Sequence, residues 1–464
     1  MKKIFSDINK IATGLLFIGL TLASCKKLIE IPANPPSSIT QEQQFADSLT
    51  SMSAVAGVYA YNTGNGFAYS DGALTYITGL SSDELSYVVD NDNQQFYSYT
   101  LTPLNGGISS IWSYAYQSIY QVNAVLNGIT NNSNLSADFQ KRITAEMKVV
   151  RSLYYFNLIN LYGDAPLVTS IDYSTTSHIP RTPVATVYDQ IKADLADARQ
   201  NLTANYPSAG RARPNLYTAI ALQAKVNLYQ KNWQSAYNEA DSVIRLGNYV
   251  LESTLNNVFL SGSTEAIWQL PAKSSNYAVS DARNFVPSSV TAAPNYLITD
   301  FLWNAFESKD RRLQNWIASK VVNGRTLNYP FKYKNVSTTA TPVEDQMIFR
   351  LAEIYLIRAE AAAHLNNLGQ ALADVNKIRA RAGLENSTVN PTSQIAVLGA
   401  VMLERQTELF CEWGNRWYDL KRTGTAAAVL GAEKTGYTDN ASLYPIPQGQ
   451  RQLNKSLTQN PGYN

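Results

Sequence analysis

Two cysteines in 464 residues leave no room for a disulfide framework, and two histidines leave little for a transition-metal site. His178 and His364 lie far apart, and neither has a second imidazole or a thiol at ligand spacing, so no zinc or iron site is expected. Charged residues make up only 16% of the chain, 38 basic against 36 acidic. That balance excludes the basic footprint of a nucleic-acid binder. Long apolar runs are missing too: Ile11–Leu22 is too short to span a bilayer. Gly64-x-Gly66 has no third glycine and no strand-to-helix setting, which rules out a phosphate cradle. Asp90-Asn91-Asp92-Asn93 lacks the glycine and downstream glutamate of an EF-hand loop and reads as a solvated turn. No G-x-S-x-G nucleophile motif occurs. No cofactor is expected.

What is present begins at the N-terminus. Lys2, Lys3 and Lys10 precede and flank the Ile11–Leu22 run, and Leu22-Ala23-Ser24-Cys25 follows it. A basic start, a short apolar core and small residues before a cleavage point describe a secretory signal over 1–24. The cysteine after Leu-Ala-Ser resembles a bacterial lipobox, which makes Cys25 the expected lipidated first residue of the mature chain. An ordinary signal peptide with an incidental cysteine is the plainer alternative. Removing 1–24 takes away Lys2, Lys3, Lys10 and Asp7, leaving 35 basic and 35 acidic side chains. Residues 25–40, with three prolines, read as a tether. Cys411, within Glu408-Leu409-Phe410-Cys411, reads as a small buried hydrophobe.

Periodicity predicts a mainly α protein. Helices are expected at 41–61, 108–129, 138–162 and 184–202, the last with Val187, Ile191, Leu195 and Ala198 on one face. Between them, 62–107 alternates Gly, Asn, Asp and aromatics and reads as long loops. An internal repeat follows. Ala224, Ala236, Ala240 and Val243 in Tyr217–Leu246 recur as Ala359, Ala371, Val375 and Ile378 in Ala352–Ala382, with Trp233 and Leu368 in the same slot. Small residues in this register let antiparallel helices pack closely and approach the tetratricopeptide pattern. Helical repeats therefore cover about 108–250 and 346–424 of a domain running from 41 to 464. The stretch 251–345, rich in Asn, Ser, Thr, Pro and aromatics with short strand-like runs, reads as a large irregular insertion on that scaffold.

Several segments carry a family resemblance. RLAEIYLIRAEAAAHLNNLGQALADVNKIRARAGL (Arg350–Leu384), ERQTELFCEWGNRWYDLKRTG (Glu404–Gly424), LYPIPQ (Leu443–Gln448) and QNPGY (Gln459–Tyr463) resemble the SusD/RagB family. So do RSLYYFNLINLYGDAPLV (Arg151–Val168) and ARPNLYTAIALQAKVNLYQKNW (Ala212–Trp233). The resemblance implies four tetratricopeptide-like helix pairs, an outer-membrane lipoprotein, and oligosaccharide capture for a SusC-like TonB-dependent transporter over which it closes as a lid. It implies binding without chemistry. Members carried to the cell surface have acidic residues just after the lipid cysteine. Here Lys26 and Lys27 come first, which leaves the membrane face open.

Glu404, Glu408 and Glu412 fall four apart on one helical face near Arg405, Arg416 and Arg422. Two carboxylates could serve glycoside hydrolysis. Arginines this close depress a carboxylate's pKa, so a packed ion-pair network is the better reading. Trp268, Trp303 with Phe306, and Trp417 read as core. A sugar offers C–H faces for aromatic stacking and hydroxyls for hydrogen bonds. Two stretches hold both partners. One runs from Tyr87 to Tyr99 with Asp90, Asn91, Asn93, Phe96 and Tyr97; the other runs from Asn276 to Phe285 with Tyr277, Asp281, Arg283 and Phe285. The same scaffold binding peptides, a periplasmic glycosidase, and a repeat adaptor with no small ligand are the rival readings.

Overall fold

The computed structural model describes residues 39–64, 72–88, 92–272, 278–336 and 343–463, with backbone alone at 62–64. The signal segment, Cys25 and the tether up to residue 38 lie outside the described residues. Among the described residues no helix is long and apolar enough to cross a membrane.

Eight helices form the scaffold: Gly106–Ile129, Ala137–Tyr162, Val184–Asn201, Leu216–Tyr229, Trp233–Leu246, Leu351–His364, Leu368–Arg381 and Gln394–Leu409. Each of the first five packs on its predecessor or successor, and Trp233–Leu246 then packs on Leu351–His364 across the insertion. The fold is mainly α and tetratricopeptide-like, as the repeat predicts. Local chemistry sets the ends. The Asn105 carboxamide accepts the Gly107 and Ile108 N–H groups at 2.9 and 3.3 Å, and Gly163, at φ 70°, stops the following helix. Ala224, Ala236, Ala240, Val243, Ala359, Ala371, Val375 and Ile378 are all fully buried, so small side chains do hold the helices close. Gly128 shows how close. A Cβ there would sit 2.2 Å from the Phe45 ring.

Buried ion pairs repeat with the helices. Arg151 grips Asp194 through two bonds of 2.9 and 2.8 Å, and Arg358 grips Asp374 through two of 2.8 and 2.7 Å. Each fork ties one helix of a pair to its partner.

The loop-rich regions depart in part from expectation. Stretch 62–107 holds a helix, Ala73–Ser81, a strand β1 at Leu85–Tyr87, and a short helix Gln94–Ser98. All nine residues of Ala73–Ser81 are buried, including Thr75, Thr78 and Ser81, which fall at three-residue spacing. The 251–345 insertion contains strands β2 (Ala266–Pro271), β3 (Tyr296–Ile298), β4 (Ile317–Val322) and β5 (Arg325–Pro330), and β6 (Asp345–Arg350) leads out of it. The strands pair antiparallel as β1–β3, β2–β6 and β4–β5. β4 turns into β5 at Asn323-Gly324, both at positive φ, the two-residue hairpin geometry that this dipeptide favours.

The three glutamates of the Glu404–Glu412 ladder staple the insertion to the scaffold. Arg312 reaches Glu404 at 2.6 Å and Glu408 at 3.1 Å, Lys332 reaches Glu412 at 2.5 Å, and Arg350 bonds Glu408 and also Glu412 at 2.7 Å. Arg381 bonds Glu408 as well. The expected ion-pair network is present, with different partners. Arg405 pairs with Asp419, Arg416 with Asp83, and Arg422 with Glu360 and Asp419. Despite their burial, the Glu408 and Glu412 carboxyls are held below the usual range by these cations, whereas burial prevails at Glu404 and raises it. Cys411, Trp268 and Trp417 are buried, as expected.

Candidate functional site

The β1–β3 pair organises the loop face. Its register sets Ser86 opposite Leu297 and Tyr87 opposite Tyr296. Successive residues of a strand point to opposite sides. Ser86 and Leu297 therefore face one way, into a cleft, while Tyr87 and Tyr296 face the other, into an aromatic cluster.

The cleft has a volume of about 310 Å³. Tyr97 and Phe301 supply aromatic rings, and Ser86, Thr326 and Asn328 supply neutral hydrogen-bonding groups. Asp300, Arg325, Glu433 and Lys434 supply charge. Phe301, the second residue of the helix Asp300–Ala305, is 46% exposed, while the next residue, Leu302, is fully buried. The walls are pinned from behind. Thr299 donates its main-chain N–H to the Glu84 carbonyl at 3.1 Å and its hydroxyl to the Asp83 carbonyl. Asn105, which caps the first long scaffold helix, donates to the Asp92 carbonyl at 2.8 Å and to Gln95 Oε1 at 3.1 Å, fixing the segment that carries Tyr97.

Electrostatics at the floor are unusual. Burial, with help from the nearby Asp83 charge, raises the Glu433 carboxyl to about 8. Burial lowers the adjacent Lys434 ammonium to about 7. Both groups change charge near neutral pH.

The predicted site residues divide. Tyr97 alone among those described lines the cleft. Tyr87 and Phe285 pack their rings on Tyr296 at 4.9 and 5.7 Å, with Tyr76 stacked on it at 4.9 Å, and Asn93 donates to the Tyr296 hydroxyl at 3.2 Å. Both predicted stretches thus converge, but on a hub that sequence reasoning did not single out. Three expectations are corrected by burial. Phe96 is fully buried with its ring edge-on to Tyr444 at 5.4 Å, and Phe285 is 4% exposed. Asp281, 1% exposed, accepts from Gln346 at 2.9 Å. These side chains support the loops from within and present no face to a ligand. Arg283 is exposed and donates to Ser280 Oγ at 2.7 Å. Asp90, Asn91 and Tyr277 lie outside the described residues. Trp303, expected in the core with Phe306, is 37% exposed, while Phe306 is buried. Phe301, Arg325, Thr326, Asn328, Glu433 and Lys434 were missed. The one signal for them was the Asn-Gly hairpin that brings Arg325–Asn328 back over β3.

Two further cavities lie on the scaffold. One, of about 410 Å³, is walled by Leu228, Trp233, Leu398 and Met402, and its Glu360 and Arg422 are bonded to each other. The other, of about 400 Å³, shares Arg422. The first also holds Lys231 and the stacked Trp233 and His364 rings, and the second Tyr437 and Asp439, but neither has a ring as open as Phe301. Among the described residues no group of three or more His, Cys, Asp or Glu side chains is placed to hold a metal ion.

Fold and cleft define a class: a helical-repeat scaffold bearing a ligand cleft on its inserted loops. Comparison with known proteins gives the family. The model for the SusD family matches residues 295–463, and the model described as starch-binding associating with outer membrane matches residues 32–228. The chain belongs to the SusD/RagB family. A SusD-like protein of Formosa agariphila is 25% identical over 97% of this chain and 98% of its own. The starch-binding protein SusD of Bacteroides thetaiotaomicron is 31% identical over 33% of this chain and 28% of its own. A SusD superfamily protein of Bacteroides vulgatus superposes with a TM-score of 0.80 at 22% identity, over 90% of this chain and all of that one. A laminarin-binding SusD-like protein does so at 0.76 and 24%, also over 90% of this chain and all of that one. These superpositions establish the shared fold. The family's members bind carbohydrate and are not enzymes.

Proposed function

We propose that this protein captures oligosaccharides at the loop-face cleft and passes them to a SusC-like TonB-dependent transporter, as a lipoprotein anchored through Cys25. The observation that carries the reading is the cleft's composition: the Tyr97 and Phe301 rings beside Ser86, Thr326, Asn328 and the charged rim of Asp300 and Arg325. Rings stack on the C–H face of a sugar, and neutral amide and hydroxyl groups exchange hydrogen bonds with its hydroxyls. Each contact is modest, and binding along a polymer raises affinity by avidity. The family description and the starch- and laminarin-binding relatives favour glycan over peptide.

The ladder carboxylates are not placed to serve hydrolysis. Glu404, Glu408 and Glu412 are buried and committed to cations, and retaining or inverting chemistry needs two carboxyls facing across an open cleft. A glycan array probed with mature wild-type protein and Phe301→Ala tests the proposal. Retention of starch- or laminarin-type glycans, weakened in the variant, is expected. No retention of any glycan, or equal retention by both proteins, contradicts it.

A further inference from the structure

Lys434 has an unusual position for a lysine. It is 6% exposed, it follows directly on the Ala426–Glu433 helix, and it lines the cleft. Its Nζ donates to the Leu80 carbonyl at 2.6 Å and to the Ser82 carbonyl, both at the C-terminal end of the Ala73–Ser81 helix. A helix C-terminus carries partial negative charge and unsatisfied carbonyls, so an ammonium is the natural cap. The same Nζ lies 4.4 Å from the centroid of the Tyr97 ring and 5.3 Å from that of Tyr99. One cation therefore joins the end of a buried helix to the ring that the proposed glycan site depends on.

We propose that Lys434 is a positioning residue of the cleft: held by the Leu80 and Ser82 carbonyls, its charge fixes the Tyr97 ring in the orientation that a sugar face stacks on. The inference rests on the glycan reading of the cleft. Tyr97 has no other cation within ring-contact distance among the described contacts, while Tyr99 is also held by its hydroxyl bond to the Ser81 carbonyl at 2.7 Å and by the Tyr437 ring at 5.1 Å. The ring with fewer restraints is the one facing the cleft.

The arrangement makes the platform sensitive to pH. Burial lowers the Lys434 ammonium to about 7, against the favourable charges of Asp83, Glu433 and Glu84. The groups around it are accounted for. Asp83 is forked by Arg416 at 2.7 and 2.5 Å, Glu84 is raised to about 8 by burial, and Glu433 is raised to about 8 by burial and by Asp83. From pH 6 to 8.5 Lys434 loses its proton, which weakens the hold on Tyr97, while the negative charge that Glu433 gains favours the ammonium and opposes that loss.

Tyrosine ring resonances in selectively labelled protein test this without any ligand, with Tyr97 assigned from Tyr97→Phe. The Tyr97 signal is expected to titrate near neutral pH in the wild type and to lose that titration in Lys434→Met. A Tyr97 signal flat from pH 6 to 8.5 in the wild type overturns the inference even should Lys434→Met fold poorly. Calorimetric titration with maltoheptaose and laminarihexaose separates the two levels. Wild-type affinity is expected to fall about fivefold between pH 6 and 8.5, with Lys434→Met already at the weaker value. Affinity lost in Tyr97→Ala but untouched by Lys434→Met and by pH overturns the positioning role alone. Unchanged affinity in Tyr97→Ala, or no binding of either sugar, overturns the cleft reading, whatever the ring resonances do.

Discussion

The helical scaffold and the loop face are built on different principles. In the scaffold a residue's environment follows from its place in a repeat: Ala224 and Ala359, 135 positions apart, occupy the same slot and are equally buried. On the loop face adjacent residues meet opposite fates. Phe96 is sealed against Tyr444, while Tyr97, one position on, lines a cleft with Lys434. The scaffold spends its charge on internal pairing, and the loop face leaves polar groups available. Rigidity and recognition are thus held in separate parts of one chain.

Removing a ladder carboxylate gives the largest expected effect on this division. Glu408→Gln leaves Arg312, Arg350 and Arg381 short of a buried counter-charge and is expected to cost about 3–5 kcal/mol of stability by denaturant unfolding. Glycan affinity, measured where the variant is still folded, is expected to stay unchanged. A loss of affinity without loss of stability would join the two regions.

Acid should act on the scaffold in the same sense. Glu408 and Glu412 have carboxyls held below their ordinary 4.5, so their contribution is present above that value and is lost as pH falls below it. Glu84 works in the opposite direction. Its carboxyl is raised to about 8 by burial, so its contribution is complete below 4.5 and is lost as pH climbs toward 8. The melting temperature is therefore expected to decline toward pH 3, and Glu84→Gln is expected to flatten the decline between pH 5 and 8. A pH-independent melting temperature from 3 to 6 would contradict the buried ladder.

The smallest effect sharpens the cleft itself. Asn328 accepts from Ser319 Oγ at 2.7 Å and lines the cleft from β5. Asn328→Ala is expected to weaken glycan binding about threefold by calorimetry, with stability nearly unchanged. A loss much larger than that would make the hairpin the centre of the site in place of Tyr97.

How legible each region was follows from the same contrast. The repeat register, the helix end at Tyr162–Gly163, and the ion-pair role of the Glu404–Glu412 ladder rest on short-range spacing, which a sequence displays directly. Helix Ala73–Ser81 was missed because nine residues are too few to show a sustained period within a stretch rich in Gly, Asn and Asp. In the site, Tyr97 was legible as one aromatic in a polar loop, but the split between Tyr97 and Tyr87 was not. It depends on β1 pairing with β3 more than 200 residues away, which sends Ser86 to the cleft and Tyr87 to Tyr296. Lys434 and Phe301 reach the cleft through the same long-range packing and carry no local mark.

The neighbouring pair Phe96 and Tyr97 provides the most direct test, with stability and oligosaccharide affinity measured together on two alanine variants. Phe96→Ala is expected to cost about 3–5 kcal/mol of stability, as a fully buried ring should. Tyr97→Ala is expected to lower affinity for the bound oligosaccharide about tenfold, the effect of about 1.4 kcal/mol, while unfolding close to the wild type. The reverse pattern, or two variants that behave alike, would contradict the separation of a rigid scaffold from a binding face.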